Sequence, residues 1–118
     1  MFGWFSMPKL LPKTLRERNR YIAFEVVSNQ RPSRRDLVSS LWYYHLRLWG
    51  EYGASRSSLW LMDWDKEKAR GIIKVNHKSV DDVRATLALT SKIDRDDALI
   101  HVLKVSGTLK KARQAISK

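Results

Sequence analysis

Residues 21–27 are Tyr-Ile-Ala-Phe-Glu-Val-Val, and the alternation of their side chains decides the fold. Ile22, Phe24 and Val26 fall on one side of an extended chain, and Glu25 falls on the other. A period of two over this length predicts a β-strand with one face in the core. The patterns on either side of this strand predict the remaining elements.

Capping patterns and apolar spacing predict the helices. Ser33 with Asp36 begins a first helix that ends near Gly50, and Ser79 with Asp82 begins a second. In chain order, the predicted elements are a strand at 21–27, a helix at 33–49, strands at 58–64 and 71–76, a helix at 79–93, a strand at 98–105 and a helix at 109–116.

This order predicts an α+β fold, a sandwich of the ferredoxin-like or RNA-recognition-motif-like kind. We expect a four-stranded antiparallel sheet with two helices on one face, followed by a C-terminal helix. The 118 residues suffice for one domain, at 20–118, after a basic arm at 1–19 that orders only in an assembly. Such a fold hosts many activities, so function must be argued from a site.

The charge of the chain is strongly positive, with 23 Lys and Arg against 12 Asp and Glu, a formal +11. Residues 1–20 contribute +4 and residues 102–118 contribute +5, which leaves the middle of the chain nearly neutral. Two cationic ends on a neutral body are typical of a protein that binds a polyanion.

Several classes of protein are excluded. The chain has no cysteine, which excludes disulfides, thiolate metal sites and cysteine nucleophiles. It has no run of about 18 apolar residues, and its apolar start at 1–7 lacks the features of a signal peptide. We therefore expect a cytoplasmic protein that makes no contact with a membrane.

No residues are predicted to be catalytic or to bind a metal or cofactor. His45, His77 and His101 lack the spacing of metal ligands, and each is better explained as a surface or hydrogen-bonded histidine. Asp63 and Asp65 point the same way along a strand and could hold a divalent cation or act as an acid–base pair. An ordinary acidic hairpin loop explains them better.

Residues 70–77 invite comparison with the octapeptide of the RNA-recognition motif, in which three aromatic residues stack on bases. The corresponding positions here are Ile72, Lys74 and His77. We therefore expect no base stacking in the manner of that module, and RNA contact through charge and shape.

Two stretches resemble a known family. Residues 11–25 are Leu-Pro-Lys-Thr-Leu-Arg-Glu-Arg-Asn-Arg-Tyr-Ile-Ala-Phe-Glu, and residues 105–111 are Val-Ser-Gly-Thr-Leu-Lys-Lys. Both are similar to the end motifs of the archaeal ribonuclease P protein component 2 family, which is shared with a eukaryotic ribonuclease P/MRP counterpart. Between them, the resemblance rests on the order and length of the elements.

The resemblance implies a subunit that does not itself cleave. Its ribonucleoprotein removes the 5′ leader of precursor tRNA, with the chemistry carried out by the ribonuclease P RNA and its Mg²⁺ ions. The implied partners are that RNA, protein component 3, other protein subunits and, for the holoenzyme, precursor tRNA.

The two motifs contain the residues that we expect to bind RNA. Arg16, Arg18 and Arg20 alternate, so an extended chain presents three guanidinium groups on one side. Residues 106–108 open a helix whose unpaired amides attract a phosphate, although a plain helix cap is the alternative. Gly107 would admit a phosphate close to the backbone, where a Cβ would block it or force an unfavourable φ. The predicted RNA-binding residues are Arg16, Arg18, Arg20, Lys104, Ser106, Gly107, Thr108, Lys110, Lys111 and Arg113.

The apolar residues of the first predicted helix cover a stripe wider than the roughly 100° of circumference that a core-facing helix needs. We expect its additional apolar residues, Trp42, Tyr43, Leu46 and Trp49, to face another protein chain. The partner would be component 3 or a second copy of this chain, in self-association. The alternative is that these long side chains wrap around the edge of the sheet.

Two other functions compete with the ribonuclease P hypothesis. One is a stand-alone regulator or enzyme that binds a small molecule on the open sheet face beside Asp63 and Asp65. The other is a ribosomal-type RNA-binding protein, which would differ in the RNA that it binds.

Overall fold

The computed structural model describes residues 18–117. Arg16 and most of the arm predicted at 1–19 lie outside this range. The elements are β1 (Asn19–Ser28), α1 (Arg34–Ser57), β2 (Trp60–Asp65), β3 (Arg70–Asn76), α2 (Val80–Leu89), β4 (Lys92–Ile93), β5 (Asp96–Ser106) and α3 (Leu109–Ser117). No helix within 18–117 is long and apolar enough to span a membrane.

The antiparallel sheet has the order β2-β3-β1-β5-β4. The predicted α+β class and three helices are confirmed, but the sheet has five strands instead of four. The added strand, β4, has two residues, too few to show an alternating pattern. Its Ile93 is buried in the core, so the assignment of this residue to the second helix was wrong.

Each face of β1 packs against different helices. Ile22, Phe24 and Val26 are buried in the larger core, which α1 and α2 cover. Ala23 points the other way and is buried with Ala112 of α3. The C-terminal helix therefore lies on the sheet face opposite the other two helices.

The two predicted helix starts have different outcomes. Ser33 is the N-cap of α1, and its hydroxyl accepts the Asp36 N–H at 3.2 Å. Ser79 makes no such hydrogen bond, so its predicted capping role is wrong. Instead the Asn76 side chain accepts the Lys78 N–H at 2.9 Å and begins a 3-10 turn at 77–79 that leads into α2.

Gly50 interrupts α1 but does not end it. Its φ of 71° and ψ of 177° lie outside the helical region, in a conformation that suits glycine. The helix resumes in a new direction and continues to Ser57. The predicted end at 49 thus located the break and missed the second segment.

A buried hydrogen-bond chain holds this second segment in place. His45 is fully buried, with Nδ1 2.8 Å from Thr86 Oγ1 and Nε2 2.8 Å from Ser57 Oγ. The Ser57 hydroxyl also donates to the Ala54 carbonyl at 2.7 Å. These hydrogen bonds therefore join both parts of α1 to α2. Both ring nitrogens of His45 have partners, as the sequence analysis expected of a hydrogen-bonded histidine.

This arrangement predicts a loss of stability in mild acid. Burial lowers the pKa of His45, an effect that the charge of Asp82 partly opposes. Below the unfolded pKa of about 6.5, the unfolded chain therefore binds a proton that the folded chain does not. The free energy of unfolding should have its full value above that pH and should decrease as the pH falls through the pKa of His45 in the folded chain.

Chemical denaturation at several pH values between about 5 and 8 measures this effect. His45→Gln should lower the free energy of unfolding by about 1–3 kcal/mol at the highest pH, because a buried hydrogen-bonding group is disturbed. The variant should also depend less on pH, because it lacks the imidazole that binds the proton. His101→Gln, at an exposed position, is the control and should keep the wild-type slope. Equal slopes in the wild type and His45→Gln would show that His45 does not cause the pH dependence.

Candidate RNA-binding surface

One end of the sheet brings four separate parts of the chain together. In the strand register, Tyr21 near the start of β1 lies between Lys74 of β3 and Ser106 of β5. Trp60, the first residue of β2, lies opposite Lys74 on its other side. The first predicted motif, the start of the second motif and the central hairpin therefore meet here.

The residues at this end are cationic. Segments 18–21, 58–60, 74–79 and 104–111 carry seven Lys or Arg and no Asp or Glu. Within residues 18–117, none of the seven forms an ion pair. We name this surface the basic end, and its members are Arg18, Arg20, Lys74, Lys78, Lys104, Lys110 and Lys111.

The opposite end of the sheet has mixed charge. Segments 25–28, 64–70 and 92–97 carry six carboxylates and five cations. The strands therefore run from a basic end to a nearly neutral end. The field of the unpaired cations favours a polyanion at the basic end.

The two sequence motifs meet at Gly107. A methyl group at this position would lie 3.9 Å from Nη1 of Arg20. The same nitrogen donates to the Asn19 carbonyl at 3.1 Å, which orients the guanidinium group. Arg18 is anchored at the same place, since its carbonyl accepts the His77 N–H at 2.8 Å. Arg18 and Asn19, assigned to the arm, are thus held by the sheet.

The turn before α3 has the predicted capping contacts. Thr108 Oγ1 accepts the Lys111 N–H at 3.3 Å, and Ser106 Oγ accepts the Thr108 N–H at 3.1 Å. Lys110 and Lys111 are exposed in the first turn. The backbone of Gly107 is not in the left-handed region, so the expected φ penalty for a side chain there was wrong.

Arg113 pairs with a carboxylate within the fold and is not a member of the basic end. Its Nε donates to Asp63 Oδ2 at 2.9 Å, and Nη2 lies 3.5 Å from Oδ1, so the pair joins α3 to β2. Asp65 Oδ1 accepts the N–H groups of Glu67 and Lys68 at 3.1 and 3.3 Å. Both carboxylates therefore have partners within the fold, for Asp65 inside the hairpin loop and for Asp63 on α3.

The sheet face that an RNA-recognition motif uses for stacking is covered. Ile72, at one of the three stacking positions, is buried beneath α3. Lys68 Nζ and Arg70 Nη1 donate to the carbonyls of Ser117 and Ile116 at 3.2 and 3.3 Å and hold the end of the helix. The competing hypothesis of a small-molecule site on the sheet requires that this face of the sheet be uncovered. No three His, Asp or Glu side chains in residues 18–117 are grouped as a metal site.

The wide apolar face of α1 divides between core and surface. Trp42 is half-buried and packs on the core, with its ring 5.7 Å from that of His45. Trp49 Nε1 donates to Thr86 Oγ1 at 3.1 Å and to the Asp82 carbonyl at 3.2 Å. Tyr43 and Leu46 remain 56% and 42% exposed. The partner role expected of Trp42 is thus replaced by a core role, and Tyr43, Leu46 and the outer part of Trp49 form the exposed α1 patch.

Lys74 and Lys78 are members of the basic end that the sequence analysis missed. Both lie in the middle of the chain, whose net charge is nearly neutral. The predicted topology could have identified them. The end of a strand that is antiparallel to β1 lies beside the start of β1.

Comparison with known proteins identifies the family of this chain. The model of the Rpp14/Pop5 family matches residues 20–117. The ribonuclease P protein component 2 of Pyrococcus furiosus is 39% identical over 91% of this chain and 89% of its own length. That of Methanobrevibacter smithii is 37% identical over 93% and 98% of the two chains.

A solved structure has the same fold. A chain in the cryo-EM structure of yeast ribonuclease MRP superposes with a TM-score of 0.67, at 18% identity, over 83% of this chain and 79% of its own. The family match and the archaeal relatives together establish the family of this chain. The chain belongs to the Rpp14/Pop5 family, and its archaeal relatives are named ribonuclease P protein component 2.

Proposed function

We propose that this chain is a non-catalytic protein subunit of ribonuclease P that binds and stabilises the catalytic domain of the RNA. Its ribonucleoprotein would remove the 5′ leader of precursor tRNA in the cytoplasm. The observation that carries the proposal is the basic end, where seven cations from three chain segments lie together without a carboxylate. The relatives named ribonuclease P protein component 2 support the choice of RNA.

The basic end would act on phosphates. Arg20 offers a planar guanidinium group, while Lys110 and Lys111 place two point charges at the start of α3. The first amides of that helix and its dipole favour an anion at the same place. These groups neutralise the backbone without selecting a base, so the surface recognises the shape of a folded RNA.

Contacts of the described residues support this division of labour between protein and RNA. Asp63 and Asp65 have structural partners, and the side chains at the basic end are donors, which suit charge neutralisation better than proton transfer. Bond cleavage would belong to the RNA and its Mg²⁺ ions. The protein would lower the repulsion between phosphates that this RNA fold brings together.

The α1 patch would contact a second protein. Tyr43 and Leu46 are exposed, and such side chains lose water when a partner packs on them. The proposed partner is the component 3 subunit, or a second copy of this chain. Because α1 and α2 cover the larger core, this patch is separate from the α3 start that would bind RNA.

The first prediction concerns the salt dependence of RNA binding. If all seven cations meet phosphates, the slope of log affinity against log salt should be about −5 to −6. Lys110→Ala with Lys111→Ala should weaken binding to the cognate ribonuclease P RNA and reduce the magnitude of the slope by about 0.7–0.9 for each lost contact. Thermal stability should hardly change, because exposed charges contribute little to folding.

Lys66→Ala with Lys92→Ala is the matched control. It removes two exposed lysines from the nearly neutral end and should leave the affinity and slope close to wild type. Filter binding at several salt concentrations, and holoenzyme cleavage at low Mg²⁺, give the readouts. Equal losses in the two double variants would mean that net charge, and not the basic end, determines binding.

The second prediction concerns the α1 patch. Tyr43→Ala with Leu46→Ala should weaken association with the cognate component 3 subunit by about 30-fold, the effect of about 2 kcal/mol at an interface anchor. The isolated chain should unfold as before, since both side chains are exposed. Titration calorimetry measures the first effect, and sedimentation of this chain alone measures self-association.

Leu89→Ala provides the comparison, because Leu89 is also exposed but lies on α2. It should bind component 3 like the wild type. If the α1 double variant neither weakens that complex nor changes the oligomeric state, the patch is not the protein interface.

A further inference from the structure

An exposed tryptophan lies beside the basic end. Trp60 is 63% exposed, on the edge strand β2, whereas the adjacent Leu61 points into the larger core. Successive side chains of a strand alternate, so Trp60 lies on the face that carries α3. Within residues 18–117, Trp60 belongs to neither core cluster, so its position calls for another explanation.

Trp60 begins a row of side chains that crosses four strands. The register places Trp60 opposite Lys74, Lys74 opposite Tyr21, and Tyr21 opposite Ser106. At the usual strand spacing, this row is about 14 Å long. It ends at Ser106, whose hydroxyl accepts the Thr108 N–H at the start of α3. The exposed ring, a lysine and the α3 start are thus aligned.

We propose that Trp60 is a stacking platform for an unpaired RNA base, with Lys74 binding an adjoining phosphate. The proposal rests on the proposed function, because it assumes RNA at the basic end. The stacking residue, Trp60, is at none of the three stacking positions of the RNA-recognition motif, although Lys74 is at one of them. Ile72 is covered by α3, while Trp60 lies at the open edge of the sheet.

The surrounding charge favours RNA over a protein occupant. The seven cations of the basic end would repel residues 1–17, which carry Lys9, Lys13 and Arg16 against Glu17. A second copy would bring the same excess of positive charge. An RNA strand offers both a flat apolar surface for the indole ring and a phosphate for Lys74, and stacking on an aromatic ring tolerates any base.

The test compares a single-stranded RNA of about 12 nucleotides with an abasic strand that has the same number of phosphates. Trp60→Ala should bind the ordinary RNA at least about five-fold more weakly, and the abasic strand like the wild type. Trp60→Phe retains an aromatic ring and should restore most of the affinity. Tyr52→Ala, at another exposed aromatic residue, is the control and should change neither affinity.

The outcomes separate this inference from the proposed function. If the Lys110→Ala, Lys111→Ala variant loses affinity for both strands while Trp60→Ala binds both like the wild type, the stacking role is overturned and the phosphate surface stands. If Trp60→Ala leaves RNA binding unchanged but prevents association with component 3, Trp60 is a protein contact. Wild-type protein that binds neither strand nor the cognate RNA would overturn both proposals.

Discussion

The structure depends on the burial of both faces of β1 at the centre of the sheet. This strand pairs with β3 on one side and β5 on the other, while its side chains alternate between two cores. A shift by one residue would move Phe24 from the larger core and bring Glu25 into it. The burial pattern therefore fixes the register, and the register fixes which residues meet at each end of the sheet.

The position of α3 follows from the same strand and determines where RNA could bind. Small residues on that face, Ala23 of β1 and Ala112 of α3, allow the helix to lie close to the sheet. Arg70 links this helix to β1, because it pairs with Glu25 at 2.9 Å and also donates to the Ile116 carbonyl. With the centre of the face covered, the available groups are those at the end of the sheet and at its open edge.

The sequence predicts the parts of this arrangement that depend on local patterns. The alternation at 21–27 identifies β1, and Ser33 identifies the start of α1, because each pattern acts over a few residues. Long-range pairing determines the rest. Neither the short β4 nor the ion pair between Arg113 and Asp63, 50 positions apart, leaves a local pattern.

The candidate site shows the same limit. The two basic motifs are visible in the sequence, and the resemblance to a family identifies them as a pair. Their contact through Arg20 and Gly107, and the addition of Lys74 and Lys78, require the order and register of the strands. Trp60 has no local pattern either, because its exposure depends on the edge position of β2.

The central claim is that the basic end of the sheet contacts RNA. Amide hydrogen exchange of the full chain, with and without the cognate ribonuclease P RNA, tests it most directly. We predict that the RNA slows exchange in segments 18–21, 74–79 and 104–111 and leaves 64–70 and 92–97 unchanged. Protection confined to 64–70 and 92–97, or to α1, would contradict the account.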